Sequence, residues 1–242
     1  MEKLYEIYKC KNCSRNPTII FTFPTSNGKK KDILNLDIVA PILNEDILFV
    51  LIQTDDDNCF YNSSLSDNDK INNLNSFCKS IDKLFEYIFE KYPTSKTPIL
   101  MGCSMGGYYA QLFYMRHPNK FNCISLGGMC NMEILDINAD HLWNGDKIIN
   151  YYENKKDWDK FNPYELDSTR NTTTKLISCF GGKEDGFLIK DVYNFHQKLK
   201  TWNYIKIYDL YHNHGSWYVM INDIFKGSST EFHDFRMDFY KK

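Results

Sequence analysis

Gly102-Cys103-Ser104-Met105-Gly106-Gly107 is the stretch of this chain best suited to covalent chemistry. It has the form G-x-S-x-G and stands between a predicted strand and a predicted helix. A serine becomes a nucleophile in that setting when a tight, strained turn pushes its hydroxyl out of the sheet edge. Glycines on both sides remove the Cβ atoms that such a turn would crush. A helix starting at Met105 also aims its first N–H groups and positive end at charge developing on a substrate. The competing reading is a glycine-rich β–α turn in which Ser104 only caps the helix. The strand–turn–helix context favours the nucleophile.

A serine hydroxyl needs a base, and the base needs an orienting acid. In this arrangement they follow in the order serine, acid, histidine. Phe180-Gly181-Gly182-Lys183-Glu184-Asp185-Gly186 offers the acid. Asp185 is preferred because it lies deeper in the loop and precedes a glycine; Glu184 is the alternative. Tyr211-His212-Asn213-His214-Gly215-Ser216-Trp217 offers two imidazoles. His214 is preferred because it stands before a glycine and the last helix, and His212 is the alternative. His214 would take the proton from Ser104 and return it to the leaving group, while Asp185 fixes its tautomer. An oxyanion hole needs two N–H donors. Met105, next after the nucleophile, supplies one, and the loop after an early strand supplies the other. Phe23-Pro24-Thr25-Ser26-Asn27-Gly28 is that loop, with Thr25 preferred to Ser26.

The remaining reactive residues read as structural. Cys103 falls at a strand end with its thiol directed inward. His117 precedes Pro118 and ends a helix; His141, His196 and His233 lack strand-end positions. Asp55-Asp56-Asp57 reads as a solvated acidic loop before it reads as a substrate rim. Cys10 and Cys13 form a lone Cys-x-x-Cys flanking the first strand, without the second pair a structural zinc wants. Neither a metal nor another cofactor is expected.

Positioning such a site takes a sheet whose strands end at one edge. Strands are predicted at Leu4–Lys9, Thr18–Phe23, Ile47–Gln53, Pro98–Cys103, Cys123–Leu126, Lys175–Phe180 and Tyr204–Leu210. Helices are predicted at Asn68–Tyr92, Gly106–His117, Ile189–Trp202 and Ser216–Phe225, with a weak one at Asp32–Leu43 interrupted by Pro41. Strands alternating with helices give βαβ units and a mostly parallel sheet covered on both faces, an α/β fold. Residues 129–168 break the rhythm and read as a small cap over the site.

The 242 residues suit one domain spanning 1–242, and 29 Lys+Arg against 31 Asp+Glu leave no basic surplus for nucleic acid. The longest apolar run, Ile47–Ile52, is far short of the roughly 20 residues of a membrane span. With no leader pattern at the N-terminus, the expected location is cytoplasmic; a mature exported chain would read alike. Aromatic residues crowd the stretch 202–242, where Phe232, Phe235, Phe239 and Tyr240 are suited to packing back on the domain or to a subunit contact in a homo-oligomer.

The chain resembles the α/β-hydrolase superfamily. Within it, the similarity is to the putative-esterase group that also holds S-formylglutathione hydrolases, feruloyl esterases and mycolyltransferases, and more narrowly to compact bacterial esterase-like proteins. The matching segments are Phe23–Gly28, Thr54–Asn62, Gly102–Gly107, Asn162-Pro163, Gly181–Asp185, and Asn213-His214 with Trp217. The resemblance implies an α/β-hydrolase sheet, Ser104, Asp185 and His214 as triad, and Thr25 and Met105 as oxyanion donors. Asn27 stands where a glycine is usual, and Gly215-Ser216 lengthens the gap from His214 to Trp217. A serine ester hydrolase on a small-molecule or carbohydrate ester is the leading expectation. An acyltransferase on the same triad and a non-catalytic binding protein are the others. Trp143, Trp158, Tyr151 and Tyr152 are suited either to gripping a sugar or aromatic acyl group or to forming the cap's own core.

Overall fold

The computed structural model describes residues 4–25, 39–53, 62, 64–137, 148–170, 173–182, 186–209 and 216–240. Its centre is a seven-stranded sheet of β1 (Tyr5–Lys9), β2 (Thr18–Phe23), β3 (Ile47–Ile52), β4 (Ile99–Cys103), β5 (Asn122–Leu126), β6 (Leu176–Phe180) and β7 (Asn203–Ile207). The spatial order is β1-β3-β2-β4-β5-β6-β7. β1 runs antiparallel to β3, and every other pair is parallel. Five helices of eight residues or more accompany the sheet among the described residues: α1 (Asp67–Lys91), α2 (Met105–Arg116), α3 (Gly186–Lys198), α4 (Trp217–Lys226) and α5 (His233–Tyr240). None is long and apolar enough to cross a membrane.

The strand pattern explains the layering. Ile47–Ile52 is apolar at every position because alternate residues feed two cores. Leu48, Val50 and Ile52 join Ile19, Phe21 and Phe23 against α1 and α2 on one face. Ile47, Phe49 and Leu51 join Ile20 and Met101 against α4 and α5 on the other. α1 forms where the apolar stripe from Ile71 to Ile88 demands it, and Ser66 starts it by accepting the Asp69 N–H at 3.2 Å. The expected tail packing is seen: Phe232, Phe235 and Phe239 are buried in the second core.

Several element ends differ from the predicted ones. Of the weak Asp32–Leu43 helix, only residues 39–43 are described, and they hold a 3-10 turn at Ala40–Ile42, Pro41 suiting its first turn and not a helix interior. The helix predicted at Ile189–Trp202 runs instead from Gly186 to Lys198. Trp202 already serves the sheet, its carbonyl accepting the Leu176 N–H at 3.1 Å. β7 ends at Ile207, not Leu210.

The direction of chain progress across the sheet reverses at the centre. β2 leads to β3 on one side, and then α1 carries the chain back past β2 to β4, after which β5, β6 and β7 add outward. Such a switch point opens a crevice at the carboxyl ends of the two strands it separates, here β2 and β4.

Candidate active site

Ser104 lies at that crevice. It follows the last residue of β4 and precedes the first of α2, and its backbone has φ 54° and ψ −122°. Apart from glycines, Asn119 is the one other described residue with positive φ. A left-handed non-glycine residue costs on the order of 1–3 kcal/mol and persists only where its surroundings over-determine it. Here they do. The Ser104 N–H donates to Leu126 O at 2.8 Å, and Ser104 O accepts from the Gly107 and Tyr108 N–H groups at 2.9 and 3.2 Å.

The flanking glycines are required by contact. A Cβ on Gly102 would lie 2.1 Å from Gly106 O, and one on Gly106 would lie 2.2 Å from Phe23 O. The second contact matters for chemistry, because it shows the start of α2 pressed against the exit of β2. Phe23 pairs with Gly102 in the sheet, and half-buried Thr25 follows two residues later. Met105, the first residue of α2, is buried. The two expected oxyanion residues therefore stand at the ends of adjacent strands.

Asp185 and His214 lie outside the described residues, as do Glu184, His212, Ser26, Asp55–Asp57, His141 and Trp143. The roots of the acid and histidine loops are described and they touch. The Gly182 N–H, at the exit of β6, donates to Asp209 O, at the exit of β7, at 3.2 Å. Asp185 comes three residues after the first root and His214 five after the second.

Several alternatives fall away on burial. Cys103 is 1% exposed, and that burial pushes its thiol well above the usual range, so it is no nucleophile. Ser178, His196 and Asn203 reproduce the outline of a triad, with Ser178 Oγ 2.8 Å from His196 Nε2 and His196 Nδ1 3.0 Å from Asn203 Oδ1. Yet Ser178 is 0% exposed in mid-strand, and His196 is 4% exposed. The Asn203 carbonyl oxygen can only accept, so Nδ1 carries the proton and Nε2 accepts from the serine. Burial, opposed by the Asn203 bond, holds His196 down at about 4. A histidine kept neutral in the fold stabilises above its unfolded value of about 6.5, and that contribution drains away as pH falls toward 4. We expect roughly 3 kcal/mol of acid sensitivity from this one group. Urea unfolding at pH 7.5 and 4.5 should show a smaller loss for His196→Gln than for the parent; equal losses would refute the assignment.

His117 caps α2 as expected, and it also bridges to α1, its Nε2 2.8 Å from Asp82 Oδ1. Cys10 directly follows β1 and is buried, and the Cys13 N–H closes a turn onto Cys10 O at 3.0 Å.

In the described part of the stretch after β5, Trp158 and Tyr151 pack into the core. Trp158 is 0% and Tyr151 1% exposed, both in the first core, whereas Tyr152 is 55% exposed. Sequence reasoning gave no structural role to its central polar residue, Asn162, which is wholly buried. Its amide donates to Asn131 Oδ1 and to the Tyr151 hydroxyl, both at 2.9 Å, and its oxygen accepts the Met132 and Tyr164 N–H groups at 3.3 and 3.2 Å. The stretch meets α1 at its first turn: Asn150 N–H donates to Asp67 at 2.8 Å, and Lys70 Nζ donates to Ile148 O at 2.5 Å. Asp191 on α3 accepts from the Cys130 thiol at 3.1 Å, and burial pushes its carboxyl up to about 6.

Comparison with known proteins follows the same line. The family model described as Putative esterase matches residues 52–240. No curated protein sequence matches the chain. Among solved structures, the S-formylglutathione hydrolase of Agrobacterium tumefaciens is similar at TM-score 0.65 and 14% identity, covering 92% of this chain and 89% of that one. The fluorophosphonate-binding serine hydrolase FphF of Staphylococcus aureus is similar at TM-score 0.63 and 15% identity, covering 91% and 92%. Acetyl xylan esterase 1 of Thermoanaerobacterium is similar at TM-score 0.62 and 15% identity, covering 97% and 77%. At these identities the likeness establishes the α/β-hydrolase fold.

Proposed function

The chain belongs to the Putative esterase family and is a serine carboxylic ester hydrolase, and from that premise we propose that it acts through an acyl-enzyme on Ser104. The observation that carries the reading is the strained backbone of Ser104 at the switch point of the sheet. Ser104 Oγ attacks the ester carbonyl carbon while its proton passes to His214. Asp185 orients the imidazole and stabilises its charged form. The oxyanion is met by the N–H groups of Met105 and Thr25. Collapse breaks the bond to the alcohol, which leaves with the proton from His214. Water then repeats the sequence on the acyl-serine and releases the acid.

The assignment of Asp185 and His214 is supported by the contact between the two loop roots at Gly182 and Asp209. We take the chain as one domain over 1–242, with 129–168 as a cap. The anchoring of that stretch to the first turn of α1, which starts beyond the carboxyl end of β3, supports it. The substrate is a small-molecule or carbohydrate ester.

A rapid-mixing experiment with p-nitrophenyl acetate tests the mechanism. The expected result is a burst of about one nitrophenol per protein, with an acetyl adduct on the Ser104 peptide after acid quench. His214→Gln and Asp185→Asn should each lower the burst rate by about 10³-fold or more. An adduct on another residue, or a full burst rate in His214→Gln, would refute the assignment.

A further inference from the structure

Gln111 is 0% exposed on α2, a helix buried along nearly its whole length. It lies four residues after Gly107 and seven after Ser104, so all three share one side of the helix. Its Nε2 donates to Ser125 Oγ at 2.8 Å, Met129 O at 3.1 Å, Gly128 O at 3.2 Å and, more weakly, Gly107 O at 3.4 Å. Two amide hydrogens thus serve β5, the loop that leaves it, and α2 itself. Gln111 Oε1 has no hydrogen-bond partner among the described residues, which leaves the donor end as the working end.

The place of this amide gives it a task. α2 crosses β5 at a point almost without side chains. A Cβ on Gly107 would lie 2.7 Å from Ser125 Oγ, and one on Gly128 would lie 2.5 Å from the same atom. Such a crossing lets backbones approach closely, but at this face it offers few side-chain knobs, the Tyr109 and Phe113 rings packing instead on Phe77 and Phe23. Directional hydrogen bonds hold the helix at this face, because buried carbonyls that lose their donor have no water to replace it. The loop is fixed at its other end, where the Gly127 N–H donates to Cys179 O at 2.8 Å and Leu126 O accepts the Ser104 N–H at 2.8 Å. Ser104 is therefore held between a strand exit fixed by β6 and a helix fixed by Gln111.

We propose that Gln111 is a positioning residue for Ser104, locking α2 to the loop after β5 so that the serine keeps its reactive conformation. This rests on the reading of Ser104 as the nucleophile.

The test compares the parent with Gln111→Met, close in size but without donors, and Gln111→Glu, whose side chain donates only when protonated. kcat and KM for p-nitrophenyl acetate are measured beside the rate of Ser104 modification by a fluorophosphonate, on folded protein. Gln111→Met should lose about tenfold in kcat with KM within about twofold, and fluorophosphonate modification should slow in step. The kcat of Gln111→Glu relative to the parent should rise as pH is lowered from about 8 to 6, since a buried glutamate takes up its proton in that range. A residue needed only for stability would lower the melting temperature and leave both signatures flat. Parental kcat in Gln111→Met, or a pH-independent ratio in Gln111→Glu, overturns the proposal. So does failure of both variants to fold. Ser104→Ala separates the two readings: labelling that survives there defeats the nucleophile assignment, whereas its loss beside normal Gln111→Met kinetics defeats only the positioning role.

Discussion

Ser104→Gly should abolish hydrolysis and at the same time stabilise the fold. Glycine adopts φ 54° and ψ −122° without the clash that any Cβ suffers there, so relief of about 1–3 kcal/mol is available. Part of it is returned, because glycine makes the unfolded chain more flexible by about 0.5–1 kcal/mol. The net expectation is about 1 kcal/mol of added stability beside a loss of about 10³-fold or more in kcat/KM. Ser104→Ala serves as the internal control. It loses the same activity but keeps the Cβ, and so gains nothing in stability. Urea titration of the three proteins decides the matter. A Ser104→Gly protein less stable than Ser104→Ala would mean that the turn stores no strain.

Gly106→Ala is expected to be the most damaging small change near the site. The added methyl would lie 2.2 Å from Phe23 O and 2.6 Å from Pro24 O. Both are backbone atoms, and Phe23 is paired with Gly102 in the middle of the sheet, so neither can step aside. Either the start of α2 or the loop bearing Thr25 must move by roughly 1 Å. Overpacking of this kind costs about 3 kcal/mol, or roughly 6–12 °C in melting temperature for a chain of this size. On the oxyanion role proposed for Thr25 and Met105, a displacement of that size costs about 100-fold in rate. Calorimetry and kcat together check it. A variant with stability within about 1 kcal/mol of the parent and normal kcat would show that the start of α2 does not press on the exit of β2.

Much of this was legible in the residues because it is local. The turn at Ser104 dictates its own glycines, and the two-faced burial of β2 and β3 dictates unbroken apolar runs. The end of α3 was not legible, because Trp202 is claimed by a partner far away in the chain, at Leu176. Gln111, and the buried structural role of Asn162, were missed for the same reason. Their partners at Ser125 and Asn131 lie 14 and 31 residues away, and no local pattern announces them. A trace was there for Gln111, a lone amide on the Ser104 side of a helix otherwise apolar along that stripe. Burial separates the Ser178–His196 pair from a working site, and burial is a property of the assembled layers rather than of spacing.

The depth at which α2 is buried has a consequence for how the protein fails. Every residue from Met105 to Met115 is shielded, so this helix offers few cheap local openings, and its amides are expected among the slowest to exchange with solvent. Ser104 is thus attached to a helix buried along nearly its whole length rather than to a fraying margin. Ser104 therefore keeps its backbone geometry for as long as α2 stays packed in the first core.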